Sequence, residues 1–254
     1  MTDISELHND ILDFLRSTKS TELEGAALVA RLIDPSFNLD FCLAELKKIA
    51  QNWEDGIDPW IILQGQGFSG FVEEPDVIAG SRLDLVLRDK VGIPISLGVL
   101  LIELCRMKAI TVDGINFPGH FLVRVEDRLI NPTSMQIVSK EDCLDQLDPR
   151  MHKQAFEIAN PKTIFLRMLN NIKYHYIREE LWESATRIIE AQILGRPNDP
   201  FLLAEQGDLW VKVGAVGVAK ELLMRALSHA EPGSELSRVL HERLKCLPQD
   251  PQIH

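Results

Sequence analysis

The sequence predicts an α+β protein that is mostly helical: helices first, then a helix packed on a small antiparallel sheet, then helical hairpins. Three observations carry this prediction. Apolar residues recur at helical spacing over residues 4–55 and again from residue 160 onward. Strand-like alternation is confined to residues 112–132. The C-terminal stretch repeats itself with a 34-residue period.

Residues 4–16 place Ile4, Leu7, Ile11, Leu12 and Leu15 on one helical face. A second helix starts after Ser20 and Thr21, whose hydroxyls suit an N-cap, and ends before Pro35. A third runs through 38–53. Residues 65–81 hold four glycines and a proline, which predicts a loop. A short helix over 83–88 follows, and Pro94 fits the first turn of another that runs to about Met107. Two alternating segments, 112–125 and 128–132, flank the turn Glu126-Asp127-Arg128-Leu129 and predict an antiparallel hairpin.

In the C-terminal stretch Tyr176 aligns with Trp210, Ala185 with Ala219 and Ile189 with Leu223, while Pro197 and Pro232 close the two units. Paired helices of this period resemble the tetratricopeptide repeat, and Gly207, Trp210, Ala219 and Ala226 carry the likeness. The first unit departs from it, with Lys173 and Gln192 at two small-residue positions. Residues 234–247 are expected to cap the stack. The expected division is therefore 1–157 and 158–254.

At 254 residues, with 45% hydrophobic and 26% charged side chains, the composition is that of a soluble globular protein. A net charge of −11 argues against nucleic-acid or anionic-membrane partners, because there is no basic excess to neutralise phosphates. The acidic N-terminus does not read as a signal peptide, and the apolar run 91–104 is too short for a span of about 20 residues. Cys42, Cys105, Cys143 and Cys246 show no CxxC spacing, so reduced thiols and a cytoplasmic setting are expected. His8, His152, His175, His229, His241 and His254 are scattered, and "GQGFSG" lacks the Lys-Ser/Thr of a phosphate loop. No metal or cofactor is expected.

One constellation carries chemistry. Ser96 near a helix start, His120 at the entry of a strand and Asn131 on the next occur in the order nucleophile, base, orienter. That is the arrangement of papain-like and transglutaminase-like folds. A helix N-terminus favours an ionised nucleophile, the imidazole takes the proton, and the third residue fixes its tautomer. The segments "GIPISL", "FPGHFLVR", "LINP" and "FLRMLNNIKYHYI" resemble the bacterial SirB family, in which a transglutaminase-like domain precedes tetratricopeptide-like helices. The resemblance implies that fold and a cytoplasmic bacterial setting.

Active relatives of the fold place a cysteine near this helix start. Here Ser96 is the only nucleophilic side chain between Gly92 and Gly98, and Cys105 lies more than two turns further on. A serine needs a carboxylate to stabilise the imidazolium, and replacing that carboxylate by Asn in a serine triad costs about 10⁴-fold in rate. The expected function is therefore a non-catalytic, protein-interacting or regulatory one on a degenerate triad. His120 would lock helix to sheet through hydrogen bonds to Ser96 and Asn131, with Gly119 letting the backbone approach the helix. The repeats would offer a concave surface to a protein or peptide partner through Arg167, Asn170, Tyr174, Ile177, Arg178, Asp208 and Lys212. The alternative is a Ser-His-Asn hydrolase or acyltransferase acting on an amide or ester.

Overall fold

The structure is a computed structural model that describes residues 4–54, 56–70 and 76–248. Helix α1 (Ile4–Arg16) buries Leu7, Ile11 and Phe14; the expected contribution of the Ile4 side chain lies outside the described residues. Helix α2 (Glu22–Ile33) opens with a capping box, in which the Thr21 hydroxyl accepts from the Glu24 N–H and the Glu24 carboxylate accepts from the Thr21 N–H. Helix α3 (Leu39–Gln51) starts at Asn38, whose side chain accepts from the Phe41 N–H.

The expected loop over 65–81 is shorter than its glycines suggested. Helix α4 (Pro59–Gly65) runs into it from one side. From the other, Asp76 accepts from the Ala79 N–H and nucleates α5 (Val77–Ser81). An N-cap aspartate supplies what the weak helix formers around it do not. Residues 71–75 of this stretch lie outside the described residues. Helices α6 (Leu83–Asp89) and α7 (Pro94–Met107) follow, and from Ile95 to Ile102 every side chain of α7 is buried.

The stretch 112–125 is not one strand. It splits into β1 (Val112–Ile115) and β2 (Leu122–Val125), which pair antiparallel across residues 116–121. Pro118 and Gly119, at φ +77°, turn the chain there. The expected turn over 126–129 is tighter: it occupies 126–127, and Arg128 and Leu129 already belong to β3 (Arg128–Asn131). Two strands of two residues each, too short for an alternating pattern to register, complete the sheet: β4 (Gln136–Ile137) and β5 (Ile158–Ala159). The order is β4-β3-β2-β1-β5, all antiparallel.

One face of this sheet packs on α7. The other, with Ile115, Leu122 and Leu129, is covered by Phe117, Cys143 and Ala155. These last two come from α8 (Lys140–Leu144) and from the end of a 3₁₀ turn (Pro149–Gln154).

Five helices follow among the described residues: α9 (Pro161–Arg178), α10 (Trp182–Gly195), α11 (Pro200–Val213), α12 (Val216–His229) and α13 (Glu235–Cys246). α12 begins 34 residues after α10, and α13 begins 35 after α11. At the crossing of α11 and α12 a Cβ on Gly207 would sit 2.9 Å from the Leu223 side chain. Ala219 and Ala226 are fully buried there.

The sequence departures at Lys173 and Gln192 become buried polar contacts. The Lys173 ammonium donates to Glu205 at 2.7 Å, and the Gln192 amide donates to Asn170 at 2.8 Å.

The chain forms two compact units. Among the described residues, one comprises Phe14–Met168 and the other Ile4–Asp13 and 169–248, so the division falls inside α1 and α9.

Candidate functional site

Helix α7 starts without a side-chain cap: Ile93 holds the N-cap position and Pro94 the first turn. Ser96 therefore lies in a first turn whose N–H groups have no side chain to satisfy them. It is fully buried, and among the described residues its hydroxyl has no hydrogen-bond partner. Neighbouring backbone closes over the residues before it. Ser69 donates its N–H to Lys90 and accepts from Gly92, while Gly70 donates to the Thr133 carbonyl.

His120 does not meet this serine. Its backbone N–H donates to the Phe117 carbonyl, its side chain is exposed, and among the described residues its ring makes no hydrogen bond. Asn131 is likewise engaged elsewhere. Its side-chain oxygen accepts from the Thr133 N–H at 2.9 Å, closing the Asn131-Pro132-Thr133 turn. No hydrogen bond links the three side chains.

Two expectations are corrected here. His120 does not lock helix to sheet, because a polar ring gains nothing from entering an apolar seam without a partner. Gly119 does not permit a close approach either: a Cβ there would meet nothing within 4 Å, and the residue is needed for its positive φ.

The contact between helix and sheet is made by Phe121, the residue after His120. Its ring is buried between two glycines: a Cβ on Gly98 would lie 2.5 Å from it, and one on Gly114 2.9 Å. The strand entry is thus an anchor for an aromatic ring, and His120 is carried outward beside it. The signal was legible in Gly98, a glycine inside an otherwise apolar helix, which costs about 1 kcal/mol unless packing demands it.

The loop bearing His120 is held by a residue assigned from the sequence to a partner surface. The half-buried guanidinium of Arg167 donates to the Phe117 carbonyl at 2.9 Å and to the Asn116 side chain at 2.8 Å. Burial pushes its pKa below the ordinary arginine value. No sequence pattern announces a side chain that reaches back fifty residues to cap a loop. Cys105 offers no substitute nucleophile, since burial pushes its thiol up to about 12 and a thiol at that value is not ionised near neutrality.

The remaining candidates divide. Asn170 accepts from Gln192, and Asp208 accepts from Arg243, so both are used within the helical unit. Ile177 packs against the core of Ala185, Ile189, Leu202 and Leu209. Tyr174, 61% exposed, together with Arg178 and Lys212, stays on the surface. Lys212 lies over the Trp182 ring at 5.7 Å, in a cleft of about 390 Å³ that Glu180 and Glu183 also line. Among the described residues no group of three His, Cys, Asp or Glu side chains could hold a metal ion, and no helix is long and apolar enough to cross a membrane.

A largely buried helix packed on a small antiparallel sheet is the arrangement of a transglutaminase-like domain. Residues 61–170 match the family model described as the transglutaminase-like superfamily. The similar proteins bear the names UPF0162 and SirB1. A UPF0162 protein of Xylella fastidiosa is 31% identical over 65% of this chain and 64% of its own length. A UPF0162 protein of Vibrio cholerae is 27% identical over 91% of this chain and 94% of its own. Protein SirB1 of Salmonella typhimurium is 22% identical over 77% and 81%. The chain thus spans less than two thirds of the Xylella relative it matches. No solved structure matches it.

Proposed function

We propose that this chain is a non-catalytic interaction or regulatory protein, built on a degenerate transglutaminase-like domain joined to tetratricopeptide-like helices. The observation that carries the reading is the disconnection of the triad positions. Among the described residues, the Ser96 hydroxyl is buried without a hydrogen-bond partner, and the exposed His120 ring makes no hydrogen bond. A serine attacks an acyl carbon only while a base removes its proton, and among the described residues none hydrogen-bonds to the Ser96 hydroxyl. The reading includes a cytoplasmic setting, with which four free thiols agree. The 34-residue spacing of α10 and α12 supports the repeat assignment, and Tyr174, Arg178 and Lys212 are the surface residues through which a protein or peptide would be held.

A fluorophosphonate probe, which phosphonylates an activated serine with loss of fluoride, tests the catalytic half of this reading. The intact protein should remain unlabelled over hours. Labelling of the wild type that is lost in Ser96→Ala would overturn the reading and restore a Ser-His-Asn hydrolase.

A further inference from the structure

Helical stacks end in a helix whose outer face is polar, because an apolar end would aggregate. α13 meets this rule along most of its length, with Arg238, Glu242 and Lys245 exposed on one face. Its N-terminal end breaks the rule. There Leu236 and Val239 of α13, Ala230 after α12, and Pro200 and Phe201 of α11 form an open groove of about 550 Å³. The lining is chiefly hydrocarbon, and Phe201 is 68% exposed, the most exposed large apolar side chain among the described residues.

The helix cap does not need this phenylalanine's ring. The Asp199 carboxylate already accepts from the Phe201 and Leu202 N–H groups and caps the start of α11. An aromatic ring left in water beside further apolar surface is a feature of interaction sites.

The charges around the groove say what would fill it. Glu231 and Glu235 line it, both exposed, and neither takes part in an ion pair among the described residues. Arg243, at the other end, is neutralised by Asp208 at 2.5 Å. The groove therefore presents uncompensated negative charge beside apolar surface, on a chain of net charge −11.

We infer that this groove binds a basic amphipathic helix of a partner protein. Leucine- or phenylalanine-sized side chains at i, i+3 or i+4, and i+7 would enter between Phe201 and Val239, while lysines or arginines flanking that stripe would meet Glu231 and Glu235. A second copy of this chain is a poorer occupant, because its own acidic surface would repel the same two carboxylates. The inference deepens the interaction reading above and rests on it, yet fails separately: probe labelling of Ser96 would sink that reading without touching this groove.

The test uses the full chain and a labelled helical peptide of about five turns, made of leucine and lysine with leucine at i, i+3, i+4 and i+7, followed by fluorescence anisotropy. A leucine/glutamate peptide of the same pattern and a scrambled leucine/lysine peptide are the controls. Saturable binding of the patterned basic peptide alone is expected. It should weaken about tenfold or more in Phe201→Ala, since an exposed aromatic anchor is what a hot spot loses. The Glu231→Lys, Glu235→Lys double variant should weaken it comparably and flatten its salt dependence. Phe201→Ala alters an exposed side chain, so its circular dichroism melt should match the wild type. The double variant puts a cation in the first turn of α13, so it should keep the wild-type spectrum and melt slightly lower. No binding, equal binding of either control peptide, or unchanged affinity in the variants would overturn the inference. Sedimentation showing a dimer that Phe201→Ala dissociates would also overturn it, by making the second copy the occupant.

Discussion

Ser96 carries a hydroxyl that has left water without gaining a partner, and an unsatisfied buried polar group costs about 1–3 kcal/mol. Ser96→Ala should therefore raise stability by about 1 kcal/mol in urea denaturation; a loss of that size would mean the hydroxyl has a partner after all. His120→Ala, at an exposed and unbonded position, should stay within about 0.5 kcal/mol of wild type. Gly98 behaves oppositely. Alanine is the better helix former by about 1 kcal/mol, yet its methyl would lie 2.5 Å from the Phe121 ring, itself trapped against Gly114. Overpacking of this kind costs about 1–3 kcal/mol, so Gly98→Ala should be destabilising despite the propensity. Adding Phe121→Leu should recover part of the loss in a double-mutant cycle; strict additivity would place the clash elsewhere.

At the scale of elements, the contacts that join helices decide more than the helices themselves. In the second unit, Lys173 and Gln192 stand at positions aligned with Gly207 and Ala226, and the polar side chains there are accommodated only because Glu205 and Asn170 meet them. Lys173 is buried, while Glu205 is one-third exposed. Glu205→Gln should therefore cost on the order of 3 kcal/mol, because it strands a buried ammonium. Lys173→Met should cost distinctly less, since it removes the charge that needs the partner. Urea midpoints of the two variants check the order, and the reverse order would show that the pair is held by its exposed member. The helix ends were readable from local chemistry, as Thr21 with Glu24 and Asn38 demonstrate. The split of 112–125 into two strands was not. Alternation continues through Asn116 and Phe117 into the loop, so only the pairing of Gly114 with Val123 reveals the hairpin.

At the scale of the whole molecule, burial divides the four thiols. Cys42, Cys105 and Cys143 are buried, the first two with their pKa pushed up to about 12 by loss of water, while Cys246 is exposed. The native protein should release one equivalent to a disulfide reagent within minutes at pH 8, and the other three only in denaturant. Rapid reaction of two or more would show that the core around α3, α7 or α8 opens readily. By itself, the sequence determined the mostly helical class, the start of α7 at Pro94, the hairpin between β2 and β3, and the 34-residue spacing, because capping, periodicity and turn chemistry act within a few residues along the chain. The fate of the triad was decided only in three dimensions. Whether Ser96 meets His120 depends on a ring wedged between Gly98 and Gly114 and on a guanidinium fifty residues away, and contacts of that range leave no periodic trace in the order of residues.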